Sequence, residues 1–122
     1  RHPDAARLAE LCAAHEETLR TVARRHDREV SWRTTTSHPP CTSDPELVRL
    51  LVEAAAEQGI PATTMPSGAV HDAQRMAHIA RVAMVFVRSE GGRSHTPAEF
   101  TTTEDAVAGI AVLAAGLHRL AY

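Results

Sequence analysis

The sequence predicts an α/β fold with helices packed on a sheet, and three observations carry that reading. "VAMVFV", residues 82–87, is apolar at every position, as in a central strand covered on both faces. "DPELVRLLVEAAAEQG" has a helix start and a helix stop at its two ends. Residues 104–120 repeat Val107, Ile110, Leu113, Leu117 and Leu120 along one helical stripe.

The elements follow in order. Asp4 can cap a first helix over 5–26, whose apolar positions Leu8, Leu11, Cys12, Leu19 and Val22 recur at three- and four-residue spacing. The other face carries Arg7, Glu10, Glu17, Arg24 and Arg28, which predicts solvent on that side. "EVSWRTTT" alternates Val30, Trp32 and Thr34 with polar neighbours, the pattern of a half-buried strand. "SHPPCTSDP" is too rich in proline and serine for regular structure and marks a segment boundary. In the next helix Asp44 is the N-cap, Pro45 takes the first helical position and Gly59 supplies the stop. "IPATTMPSGAV" reads as extended or looped, and "HDAQRMAHIA" as a short helix with Asp72 near its start. The strand 82–87 and the helix 104–120 complete the order. Two or three strands make a poor sheet, so the apolar run implies neighbouring strands from missing sequence or from a second chain. There is no internal repeat and no low-complexity segment.

Composition narrows the function classes. With 122 residues the chain is one average domain at most. It opens on Arg1 rather than Met, which leads us to expect a piece of a longer protein. Every basic residue is arginine, a bias expected of a GC-rich bacterial genome. A formal net charge of -2 provides no field to attract nucleic acid or an anionic membrane. Cys12 and Cys41 form no C-x-x-C and read as reduced thiols of a cytosolic protein. No apolar run has the length of a membrane span, so no membrane partner is expected. One Trp, one Tyr and two Phe give no base-stacking surface. "ARRHDR" fits a solvated helix end with arginines complementing the C-terminal dipole better than it fits nucleic-acid binding.

The eight histidines are the compositional oddity, because histidine is the usual proton carrier near neutral pH and the commonest metal ligand. His71 and His78 would share a helix face two turns apart, roughly 10 Å, too far for one ion. In "SGAVHDAQ" two readings stand side by side. In one, His71 contacts substrate or metal; in the other, Asp72 caps the helix and His71 is a boundary residue. "SEGGRSHTPAEF" follows the apolar run, and a loop after the C-terminal end of a strand is where open α/β sheets place their sites. That raises His95 above the other histidines, with Thr96-Pro97-x-Glu99 expected to form a capping box after it. One histidine cannot hold zinc, which takes three or four ligands.

"PSGAVHDAQRMA" followed by "AMVFVRSEGGRSHTPAEFTTTEDAVAGIAVL" resembles the C-terminal part of one hydrolase group. It is the N-carbamoyl-L-amino-acid hydrolase, β-ureidopropionase and allantoate amidohydrolase branch of the di-zinc aminopeptidase-like (amidase, hydantoinase/carbamoylase) family. The family's approximate pattern is S-G-A-G-H-D-A, a hydrophobic strand, then G-G-x-S-H-x-P-x-E. Both halves are present in that order. "RHPDAARLAEL" resembles the end of a strand and the following helix in the family's inserted lid. The resemblance implies that residues 1–36 are the C-terminal half of an α+β lid or dimerisation domain. Residues 37–122 are then the C-terminal segment of the metal-dependent catalytic domain.

By the same resemblance His95 matches a zinc ligand and His71 a substrate-binding histidine. Arg1 matches an arginine that grips the substrate carboxylate with two bonds. Gly91 and Gly92 let the loop lie close to substrate. The implied cofactor is zinc, two ions per complete site, with manganese or cobalt as alternatives. The implied reaction is hydrolysis of a linear amide or ureido C–N bond in a carboxylate-bearing small molecule, by a cytoplasmic homodimer joined through the lid. The general base and the remaining ligands are expected upstream, so this piece alone should be inactive. Val70 stands where the family has glycine, and Arg93 where it usually has a hydrophobic residue; both bear on substrate choice. Two other readings remain open at this point, a non-catalytic dimerisation or assembly module and a di-zinc peptidase of the wider family.

Overall fold

The computed structural model describes residues 2–122. Among the described residues are four α-helices, α1 (Ala5–Arg25), α2 (Pro45–Glu57), α3 (Ala73–Met76) and α4 (Thr103–Ala121), and one 3-10 turn at Glu90–Gly92. The chain divides into two compact units, one of Arg1–Thr42 with Pro66–Val70, the other of Ser43–Met65 with His71–Tyr122.

In the first unit α1 begins where the Asp4 side chain accepts a hydrogen bond from the Arg7 N–H at 2.8 Å. It ends in a Schellman turn. The Arg28 N–H reaches the Ala23 carbonyl at 2.9 Å, and Asp27 takes the left-handed conformation at φ 51°. Exposed pairs such as Arg24 with Glu17 (2.8 Å) follow its polar side, and they hold the Glu17 carboxyl below the usual glutamate range. The apolar stripe is not buried as its spacing predicts: Leu11, Cys12 and Val22 are exposed, and no residue of α1 is buried. The Arg20 guanidinium lies 4.8 Å from the centre of the Trp32 ring, a contact worth about 0.5–1 kcal/mol at an exposed site.

The second unit is built on α2 and α4. The Asp44 carboxylate caps α2 through the Glu46 and Leu47 N–H groups at 2.9 and 3.0 Å. Gly59, at φ 67°, closes the helix in a second Schellman turn, with the Ile60 N–H on the Ala55 carbonyl at 2.9 Å. At Gly116 of α4 the two helices approach closely. A Cβ there would lie 2.8 Å from Leu51 Cδ2 and 3.2 Å from Leu50 Cδ2, so any larger residue would require Leu51 to shift. Ala54, Ala55 and Val112 form the buried core. Arg119 spans the same pair of helices to Glu57.

Among the described residues there is no β-ladder: "EVSWRTTT" and residues 82–87 pair with no other described segment. A strand exists only by pairing with another, and no described segment supplies the partner. Residues 82–87 are extended and tied at their start, where the Asp44 N–H donates to the Val82 carbonyl at 2.8 Å. Val85 and Val87 lie against Gly109 of α4, while Phe86, on the opposite side of the alternating backbone, meets the His71 ring.

The structure corrects the expected packing of α4. Its stripe of Val107, Ile110, Leu113, Leu117 and Leu120 is exposed, Ile110 at 66%. The inward face is the row Gly109, Val112 and Gly116. Adjacent helical positions differ by about 100°, so the two rows sit roughly a quarter-turn apart. Small residues won the inward face because they let α2 and Val87 approach the backbone.

Candidate functional site

The 89–100 loop closes on itself. The Glu90 N–H donates to the Phe100 carbonyl at 2.8 Å, joining the two ends in the manner of an Ω-loop. The 3-10 turn at its start holds Gly92 N–H on the Ser89 carbonyl at 3.0 Å, and the Ser89 hydroxyl donates to the Arg93 carbonyl. Gly91 and Gly92 have φ of 62° and 65°, a left-handed pair that only glycine adopts without strain. Their first requirement is therefore conformational. A Cβ on Gly92 would meet nothing within 4 Å.

His95 follows, exposed, and is itself left-handed at φ 58°. Its backbone N–H donates to Glu99 Oε2 at 2.7 Å. The Glu99 N–H in turn donates to the Thr96 carbonyl at 3.0 Å. The expected capping box is not formed. No helix starts at this point, and the Glu99 carboxylate binds the peptide of His95 rather than that of Thr96. The fixed φ of Pro97 suits the second position of the β-turn spanning 96–99, as it would the first turn of a helix.

On the other stretch, His71 is half-buried, and its ring centroid lies 5.4 Å from that of Phe86 at an interplanar angle of 57°. Asp72 occupies the N-cap position of α3 with helical backbone angles and no side-chain cap bond. The capping role that competes with a functional role for this dipeptide is therefore absent. Ser67 accepts a hydrogen bond at its Oγ from the Ala69 N–H at 3.1 Å, so the small residues before His71 form a local turn. Phe86 is a neighbour of His71 that sequence reasoning misses. The sequence pattern makes Glu99 a cap, whereas its spacing of four from His95 is the clue to its actual contact. Arg1 lies outside the described residues.

The described residues bring His71 to Phe86 and His95 to Glu99. Among them, no three His, Cys, Asp or Glu side chains gather to hold a metal ion. This donor set does not by itself fit a closed zinc site, which takes three or four ligands. No helix among the described residues is long and apolar enough to cross a membrane.

Residues 6–119 match the model of Peptidase family M20/M25/M40. The chain is similar to an allantoate amidohydrolase of Escherichia coli (strain K12), 34% identical over 122 residues, which cover 100% of this chain and 30% of that protein. It is 46% identical over 69 residues to an N-carbamoyl-L-amino acid amidohydrolase of Geobacillus stearothermophilus, covering 56% of this chain and 17% of that one. A ureidoglycolate hydrolase of Arabidopsis thaliana is 31% identical over 118 residues, 96% of this chain and 25% of the plant protein. The chain thus spans less than a third of the length of these relatives.

Proposed function

Because this chain belongs to Peptidase family M20/M25/M40, we propose that the complete polypeptide containing it is an amidohydrolase of linear amide or ureido C–N bonds. The substrate class is an N-carbamoyl amino acid, allantoate or a similar small carboxylate. The observation that carries this reading is the full-length alignment of the chain with a relative named for allantoate hydrolysis. The loop geometry supports it, because an exposed imidazole held on a strained, closed loop is the expected setting of a functional side chain.

In this proposal residues 1–36 belong to a lid and dimerisation domain and residues 37–122 to the catalytic domain. The sheet missing among the described residues is completed by the rest of the polypeptide. His71 contacts the substrate from its place beside Phe86, and Gly91 and Gly92 allow the loop backbone close to it. Arg1 forks onto the substrate carboxylate. His95 is one ligand of a zinc site, with manganese or cobalt as alternatives, whose other donors lie outside this chain. Such a metal supplies a water acidified enough to attack at neutral pH. The complete protein is a cytoplasmic homodimer, and the present chain alone is inactive.

The test is a panel of allantoate, N-carbamoyl-L-amino acids and dipeptides offered to the complete gene product. Metal content is measured alongside, and the 122-residue chain is assayed in parallel. Turnover of the ureido substrates by the complete protein alone supports the proposal. Turnover of dipeptides alone makes it a peptidase. No stoichiometric metal and no turnover make it a non-catalytic assembly protein.

A further inference from the structure

We propose that Glu99 is a positioning residue for His95: its carboxylate, by accepting the His95 backbone N–H, holds that residue in the left-handed conformation that aims the imidazole. A non-glycine residue stays left-handed only where its surroundings over-determine it. The loop's other bonds fix its ends and its glycine turn, through Glu90 to Phe100 and Gly92 to Ser89. The contact made to the peptide of His95 is the 2.7 Å bond to Glu99 Oε2. Such a bond to an ionised acceptor is about twice as strong as a neutral one.

Glu99 is well placed to act as a clamp because its own backbone is fixed. Pro97 starts the turn, Thr96 accepts the Glu99 N–H at 3.0 Å, and the side chain folds back over four residues to His95. The segment 95–99 is thus a small ring closed by one backbone and one side-chain bond. Releasing the side-chain bond frees φ of His95 and swings its Cα–Cβ direction, which moves the ring nitrogens away from whatever they serve. This inference rests on the proposal that His95 is a functional residue.

The test uses the complete gene product with Glu99→Ala, Glu99→Gln, His95→Ala and the His95→Ala/Glu99→Ala pair. It reads hydrogen exchange at the residue-95 amide, and kcat and KM on the ureido substrate that the wild type turns over. We expect Glu99→Ala to speed that exchange about tenfold, the order expected for losing a bond to a charged group. We expect kcat to fall about tenfold or more with KM less affected, since small misplacements at a reacting centre are costly. Glu99→Gln, whose side-chain carbonyl accepts the same N–H, should restore most of both, which also separates positioning from misfolding. In the His95→Ala background Glu99→Ala should cost nothing further. Unchanged amide exchange in Glu99→Ala, failure of Glu99→Gln to rescue, or an equal loss in both backgrounds overturns the proposal. Full activity in His95→Ala sinks the functional reading of His95, while the exchange measurement still decides whether Glu99 clamps its backbone.

Discussion

Replacing His95 by glycine should make the loop more stable, not less. The left-handed conformation at φ 58° costs an L-residue roughly 1–2 kcal/mol, and glycine removes that cost. Against it stands the greater freedom of glycine in the unfolded chain, about 0.5–1 kcal/mol. His95 is exposed, so no burial is lost, and the N–H bonded to Glu99 remains. The balance is a gain of about 0.5–1 kcal/mol, within the range known for conformational substitutions of this kind. A local probe suits it best. The Glu90 N–H closes the loop on Phe100, and its exchange should slow about two- to fivefold as the loop opens less often. The same variant should lose hydrolase activity. Unchanged or faster exchange at Glu90 would mean that His95 carries no backbone strain, and backbone strain would no longer mark this loop as a site.

Asp27→Gly poses the same question away from any site: with Asp27 left-handed at φ 51°, glycine should stabilise the end of α1 by up to about 1 kcal/mol, seen as slower exchange of the Arg28 N–H. Gly109→Ala should destabilise, because the new methyl group collides with Val87. Overpacking of about 1–3 kcal/mol outweighs about 1 kcal/mol of helix propensity, and a second change, Val87→Ala, should recover part of the lost melting temperature. The Glu17 carboxyl is lowered by its bonds to Arg24 and Thr21. Its folded value lies below its unfolded one, so its contribution to α1 is complete above the unfolded value and is lost as pH falls through the folded one. Helicity followed by circular dichroism should therefore drop below about pH 4.5, and Glu17→Gln should flatten that part of the curve.

Local signals were legible in the sequence and signals that depend on a partner were not. Asp44, Pro45 and Gly59 define α2 because capping is satisfied within a few residues of the helix end. The stripe of α4 established a helix, yet the face that packs is the row of Gly109, Val112 and Gly116. Periodicity shows where large apolar side chains lie, and close approach depends instead on where they are missing. Residues 82–87 have the composition of a strand, but a ladder needs a second segment that the described residues do not contain. Thr96-Pro97-Ala98-Glu99 fits both a capping box and a β-turn, and only the position of the next helix, starting at Thr103, separates them. That His95 lies exposed on a loop was legible from its place after the apolar run, whereas its left-handed backbone and its bond to Glu99 were not.

The most direct test of the account is the rate of ureido-bond hydrolysis by the complete gene product before and after His95→Ala. Circular dichroism would confirm that the variant keeps its fold. We predict that the wild type turns over allantoate or an N-carbamoyl-L-amino acid and that the variant loses kcat by at least about a hundredfold, the order seen when a group acting at the reacting centre is removed. A variant that folds and hydrolyses its substrate at the wild-type rate would contradict the placement of the functional site on this loop.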